Sequence, residues 1–563
     1  MINIRNVFVL LALHCLVWEA DLCGAAIIGQ RWVKSGAVAS ENKLCSQIGI
    51  DLMKAGGNAV DAAIGTQLCT GTVAMYHSGI GGGGFALVRG SNGSYEMVDF
   101  REIAPAAAYQ DMYDGNYNGS LIGGLAVGVP GELRGFEYMS NKYGNLEWRD
   151  LFTPSIKLAK DGFIIDQDLY SRMQGATFLQ TDPAWAADFA PNGTLLGLGD
   201  TLKRTRFADT LETIALEGAD AFYAGSIAET TVAATQAHNG TMVVEDLNDY
   251  KVKIRPTIEI TYRGFKVTSC TAPSSGPVVL SAMKLIEGYS DIGEPSLKNL
   301  STHRADEALK FAYGQRLYLA DPYFVAGMPE FEDEMINATT AAANRAKISD
   351  TQTQNISYYD PAGLVLPVDS GTSHMVAADS NGMVVSMTST VNAYFGSTVM
   401  VPETGIVLND EMNDFSIPGT SNEFGYISSP ENYIKPGKTP LSSMTPTIVE
   451  HLDNSTFYFA TGAAGGSRII TAIFESLWYV LDWNMTPQEA LDQPRFHDQL
   501  VPPVVSFDYS FDNSTVAYIK SLGSNVSWTA PGGSTAQAVR QLWNGTFQPA
   551  HDPSQVDGAG LAF

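Results

Sequence analysis

The chain of 563 residues is 45% hydrophobic and 17% charged, which is enough apolar material for a large core. With 34 basic against 60 acidic residues its net charge is -26, so it repels polyphosphate and no nucleic-acid partner is expected. There is no CxxC and no HExxH, so a structural zinc and a zinc hydrolase have no support, and neither a metal nor an organic cofactor is expected.

At the N-terminus Arg5 precedes an apolar run from Val7 to Trp18, too short to span a bilayer comfortably. Small residues follow at Ala20 and at Cys23-Gly24-Ala25, so residues 1–25 read as a signal peptide. No later stretch reads as transmembrane. N-x-S/T sites at Asn92, Asn118, Asn192, Asn239, Asn337, Asn355, Asn454, Asn513, Asn525 and Asn544 suit a glycosylated, secreted protein, whether free or associated with a wall or surface. Cys15 leaves with the signal. An oxidising compartment would allow a Cys45–Cys69 disulfide, with Cys270 buried or free.

Residues 44 to 76 read as largely helical, with Gly56-Gly57-Asn58 as a break and cap. The run Gly79-Ile80-Gly81-Gly82-Gly83-Gly84 formally matches G-x-G-x-x-G, but a helical pattern precedes it and strand-like FALVRG follows. A dinucleotide loop needs the reverse order, so a tightly packed backbone crossing fits better. Amphipathic stretches predict helices through 130–240 and again over 303–320. The segment from about 338 to 371 is rich in Ala, Thr, Asn, Ser and Gln, then Pro and Gly, and reads as exposed and poorly structured. HMVAAD and MVVSMTST then flank Ser380-Asn381-Gly382, a hairpin signal that puts Thr372 at the mouth of a strand. Further on, FYFAT reads as a strand, GAAGG as a glycine turn and IITAIFESLWYVLDW as a helix. Backbone N–H groups at such a helix start can hold an anion.

Asp369-Ser370-Gly371-Thr372-Ser373-His374 carries the chemistry. A threonine hydroxyl is a weak nucleophile that needs a base. Cutting the Gly371–Thr372 bond would supply one, since a free α-amine titrates near about 8 and can take the hydroxyl proton. The Thr372 hydroxyl can make that cut by attacking the Gly371 carbonyl, with water resolving the ester. Taken alone, these six residues better fit an ordinary turn entering a hairpin. His374 lies two residues from Thr372, on the same strand face, and reads as structural; neighbours on one strand do not easily form a nucleophile–base pair.

The wider pattern reverses the balance. T-S-H, Gly382, Thr388-Ser389-Thr390-Val391-Asn392 and Phe395-Gly396 resemble the γ-glutamyltransferase signature around its catalytic threonine. So do the ordered blocks AGGNAVDAA (55–63), HSGIGGGGF (77–85), DFREIAP (99–105), VGVPGE (127–132), LNDEMNDFS (408–416), PLSSMTPTI (440–448) and GAAGGSRI (462–469). Val376 and Met383 depart from the usual pattern, at positions that are not catalytic. The resemblance implies that Arg101 binds the substrate α-carboxylate with its bidentate fork, helped by Ser442 and Ser443. It implies that Asn392, Glu411 and Asp414 accept from the α-ammonium, completing a clamp with the cation at one end and the anions at the other. Gly465 and Gly466 match the oxyanion glycines, and Thr390 a second threonine that orients Thr372. Residues 416–438 resemble a lid loop, with an aromatic such as Phe424 shielding the acyl-enzyme.

The expectation is therefore a four-layer αββα sandwich of the N-terminal-nucleophile hydrolase class. A precursor gives two interwoven chains, a large one over 26–371 and a small catalytic one over 372–563. Thr372 takes the γ-glutamyl group from glutathione or a related donor and passes it to water, an amino acid or a peptide. The rivals are a glutaryl or cephalosporin acylase on the same fold and a secreted glycoprotein without catalysis.

Overall fold

In the computed structural model the described residues are 35–367, 371–420 and 427–563. The signal segment, Asp369, Ser370 and Phe424 lie outside them. Thirteen strands in chain order build two sheets: β1 (Gly36–Ser40), β2 (Gly83–Arg89), β3 (Tyr95–Asp99), β4 (Lys253–Arg255), β5 (Thr257–Tyr262), β6 (Phe265–Cys270), β7 (Ser373–Asp379), β8 (Val384–Thr390), β9 (Thr447–His451), β10 (Phe457–Ala464), β11 (Thr535–Gln541), β12 (Phe547–His551) and β13 (Ala559–Ala562). Among the described residues one sheet runs β13-β1-β7-β8-β2-β3-β4 and the other β12-β11-β10-β9-β6-β5. Every pairing within these two sheets is antiparallel.

Strand periodicity divides the core into layers. Met375 and Ala377 of β7, Val385 and Met387 of β8, and Ala86 and Val88 of β2 pack outward under the N-terminal helices. Their neighbours Val376, Ala378, Val384, Phe85 and Leu87 point inward, where they meet Ile448, Ala460 and Val539 of the second sheet. Phe459 and Ala463 of β10 point outward again, under the helices Gly276–Glu287, Lys298–Arg316 and Arg468–Leu481. The order is helix, sheet, sheet, helix: the αββα sandwich. The central strands β2, β7 and β8 are buried at every residue because both faces are covered.

The expected break falls where the sequence puts it. Lys43–Lys54 and Ala59–Val73 are separate helices, and Asn58 caps the second in a capping box with Asp61. A Cys45–Cys69 disulfide ties the two together, and Cys270 is free and buried. The glycine run packs as a backbone crossing: a Cβ on Gly82 would collide with the Thr390 carbonyl. Through 130–240 the helices include Glu132–Tyr143, Trp148–Asp161, Thr205–Glu217 and Gly225–Ala237. One expectation needs correction. The stretch from 338 is not structureless, since Ala338–Arg345 is helical behind an Asn337 cap and Ile356–Tyr359 makes a further turn. Its alanines are good helix formers, which the polar composition obscured.

Buried carboxyls lie close to the central strands. Glu132 accepts from Ser389 Oγ on β8, and burial raises its carboxyl to about 8 from an ordinary 4.5. Burial raises Glu102 to about 8 as well. Between these two pH values the folded chain holds protons that the unfolded chain has released. This contribution to stability is therefore fully present below about pH 4.5 and is lost as pH rises towards about 8. Melting temperature is expected to fall between about pH 5 and 8, and to fall less steeply in Glu132→Gln. Equal slopes in scanning calorimetry would remove Glu132 from this account.

Candidate active site

The inter-sheet layer brings the start of β7 against the end of β10. Gly371 and Thr372 precede β7, both with positive φ, at 115° and 82°. Gly371 has its carbonyl aimed at the glycine turn after β10, where the Gly465 N–H donates to it at 3.1 Å. A Cβ on Gly371 would collide with the Asn392 carbonyl, so only glycine fits before this threonine. Gly465 and Gly466 also have positive φ, at 117° and 60°, and the Arg468–Leu481 helix begins directly after them. This is the predicted strand, glycine loop and helix, with a carbonyl oxygen already at the anion position.

Thr372 is buried, and its Oγ1 lies 3.2 Å from Thr390 Oγ1 at the end of β8. The Asn392 N–H donates to Thr390 Oγ1 at 2.7 Å, which leaves the Thr390 proton available to Thr372. His374 is not a partner of Thr372. Thr372 and His374 share the inter-sheet face, but Thr372 meets Thr390 across the hairpin and His374 meets Thr388. His374 points into the inter-sheet layer, with Nδ1 2.8 Å from Thr388 Oγ1 and its ring against Gly462. Burial holds its pKa down to about 3, so the ring is neutral.

Asn392 connects the Thr372–Thr390 pair to the candidate clamp. Its Nδ2 donates to the Asp410 carbonyl at 3.1 Å, next to the 3-10 turn Glu411–Asp414. That turn carries both acids on one side, and both meet Arg101: Nη1 lies 2.5 Å from Glu411 Oε1, and Nη2 pairs with Asp414 Oδ2. Arg101 and the two acids are almost wholly buried. The family resemblance implies a clamp with the cation and the anions at opposite ends. Here one guanidinium sits directly between two carboxylates, because a buried charge must be paired where it stands.

Surrounding groups fix Arg101. Its N–H donates to Asp99 Oδ1 at 3.0 Å, its carbonyl accepts from Tyr250 Oη at 2.8 Å, and its Nε donates to the Pro440 carbonyl at 3.2 Å. Pro440 opens the segment that carries Ser442 and Ser443, so the serines are tethered to the same arginine. Ser442 Oγ accepts from the Met444 N–H at 3.1 Å.

Several residues here went unnoticed in the sequence. Asn409 Oδ1 accepts from the Gly128 and Glu411 N–H groups, and its Nδ2 donates to the Gly81 and Gly128 carbonyls. One buried amide therefore pins the acidic turn to two glycine loops; the Asn-Asp before Glu411 was its only signal. Arg316 donates to Ser443 Oγ at 2.8 Å, from a helix read as ordinary amphipathic packing. His77 Nε2 lies 2.6 Å from Glu41 Oε1 near the nucleophile. Pairs so far apart in the chain leave no local pattern.

A threonine poised behind its own peptide bond, where two stacked sheets meet, defines an N-terminal-nucleophile hydrolase. Within that class the relatives are specific. A family model described as Gamma-glutamyltranspeptidase matches residues 45–562. The "Glutathione hydrolase proenzyme" of Arthroderma benhamiae is 50% identical over 541 residues, 93% of this chain and 92% of that protein. A "Glutathione hydrolase" of Aspergillus flavus is 44% identical, over 93% of this chain and 89% of that protein. Among solved structures, a cephalosporin acylase from Bacillus halodurans superimposes with a TM-score of 0.81 at 25% identity, over 94% of this chain and 96% of that one. The chain belongs to the gamma-glutamyltranspeptidase family.

Two outcomes follow from this geometry. Gly465→Ala puts a Cβ against the Gly533 carbonyl and Ser534, in a conformation unfavourable for alanine. By displacing the Gly465 N–H from the Gly371 carbonyl it should slow cutting of the Gly371–Thr372 bond by about 100-fold, as losing one oxyanion donor typically does. Normal band conversion on denaturing gels would contradict the assigned donor. Arg101→Gln keeps hydrogen-bond donors but removes the charge between Glu411 and Asp414. It should raise KM for a γ-glutamyl donor by at least about tenfold, with a smaller change in kcat. An unchanged KM would remove Arg101 from the clamp.

Proposed function

We propose that this chain is a precursor that cuts itself between Gly371 and Thr372 and then transfers γ-glutamyl groups from Thr372. The observation that carries this is the Gly371 carbonyl, held by the Gly465 N–H beside the Thr372 hydroxyl. Thr372 Oγ attacks that carbonyl while Thr390 orients it. The C–N bond breaks, an ester forms between Gly371 and Thr372, and the nitrogen leaves as the Thr372 α-amine. Water then hydrolyses the ester. This gives a large chain ending at Gly371, after loss of a signal over 1–25, and a small chain over 372–563.

The new amine serves as base for the second reaction. Thr372 Oγ attacks the γ-carbonyl of glutathione, the Gly465 and Gly466 N–H groups stabilise the oxyanion, and cysteinylglycine leaves. Water then gives hydrolysis, and an amino acid or peptide gives transpeptidation. The glutamyl head carries both charges. Its ammonium is met by Glu411, Asp414 and Asn392, and its carboxylate by Arg101, Ser442 and Ser443. Inserting a zwitterion into an Arg-carboxylate pair exchanges one set of charge-assisted bonds for another, so the buried charges stay paired throughout.

The likeness to a cephalosporin acylase favours a second reading, glutaryl removal. It fits less well, because a glutaryl group lacks the amine for which the acidic turn is suited. Secretion is supported by the N-terminal pattern and by the exposure of all ten named sequon asparagines. No helix among the described residues is long and apolar enough to cross a membrane.

Thr372→Ala should remain one uncut, folded chain that releases no product from a γ-glutamyl anilide. The unaltered protein should give a fragment beginning Thr372-Ser373-His374. Intact mass, N-terminal sequencing and anilide release together decide it. Two normal chains from the alanine variant would sink the self-cleavage scheme.

A further inference from the structure

A cavity of about 160 Å³ opens on Thr372 and Gly465, and its wall includes Tyr76, Asp168, Arg172 and Tyr394. None of Arg101, Glu411, Asp414, Ser442 or Ser443 lines it. A substrate carbonyl seated where the Gly371 carbonyl now lies would send its glutamyl head towards those clamp residues. The other half of the substrate then has this cavity as its way out, and an incoming acceptor has it as its way in.

Arg172 is the distinctive group on the wall. It sits on the Gln167–Met173 helix, with its guanidinium 4.1 Å from the centre of the Tyr394 ring. Among the described residues its side chain makes no hydrogen bond or ion pair. This cation–π contact holds the guanidinium over the ring, and its N–H groups remain for a ligand. Asp168, one helical turn earlier on the same wall, supplies the opposite charge. Cysteinylglycine and amino-acid or peptide acceptors share an amine that must reach the acyl carbon and a carboxylate further out.

Taking the γ-glutamyl reaction above as given, we infer that this cavity is the leaving-group and acceptor subsite, and that Arg172 selects ligands bearing a free carboxylate. Arg172 binds without entering the bond-making steps, so its effect depends on the ligand used.

The experiment compares the self-processed protein with Arg172→Ala and Arg172→Lys. Donors are glutathione, whose leaving group carries a carboxylate, and γ-glutamyl-p-nitroanilide, whose leaving group carries none. Acceptors are glycylglycine and its C-terminal amide. Arg172→Ala should raise KM for glutathione and for glycylglycine by about tenfold, while anilide hydrolysis and the amide acceptor change less than about twofold. Arg172→Lys should recover part of the loss. Equal changes with both donors, or no change with either, would overturn the assignment. Anilide hydrolysis by the variants reports that they fold and process. If the unaltered protein released no anilide, the reaction itself would fail, an outcome distinct from failure of the subsite.

Discussion

The Gly465 N–H to Gly371 carbonyl hydrogen bond joins the two sheets at their reacting end, and the site is arranged around it. It needs β7 and β10 to lie face to face, which the small inward residues of the inter-sheet layer allow. It also needs backbone without side chains on both sides, since a Cβ on Gly371 or Gly465 would strike neighbouring main chain. In the proposed reaction this donor is in place before any charge develops on the oxygen, which would leave little reorganisation. In the proposed scheme one pair of strand ends serves the precursor's own peptide first and a substrate carbonyl afterwards.

The second constraint is electrostatic. Arg101, Glu411 and Asp414 are buried together, at a desolvation cost that only close pairing offsets. The surroundings hold the pairing. Asp99 fixes the Arg101 backbone and also lies 2.6 Å from Arg255, which reaches Asp321; Asp321 accepts from the Thr439 N–H beside the serine segment. Asn409 ties the acidic turn to the glycine loops. The Arg101–Glu411–Asp414 cluster is thus held through its backbone as well as by its ion pairs.

Much of this was legible in the sequence, for physical reasons. The Asn-Gly hairpin, the Asn58 cap and the glycine turn before Arg468 are local devices, and all appear where the chain predicts them. Thr372, Arg101 and the Glu411–Asp414 pair were found through resemblance, because alone each has a commonplace explanation. What stayed hidden depends on distance along the chain. No spacing reports that Arg101 would touch both acids or that Arg316 would reach Ser443. The helix at Ala338–Arg345 is obscured in the sequence by its polar composition, although its alanines favour it.

The strand order has a consequence for how the protein survives. β1, which precedes Gly371, lies between β7 and β13, which follow it, and the second sheet likewise joins β6 to β9 across the same point. Until the bond is cut, unfolding and refolding involve a single molecule. With the cut proposed after Gly371, the unfolded state would be two separate polypeptides, and recovery would require an encounter whose rate depends on concentration. A protein so cut would be protected by the height of its unfolding barrier more than by its equilibrium, and its denaturation in dilute surroundings would be practically irreversible.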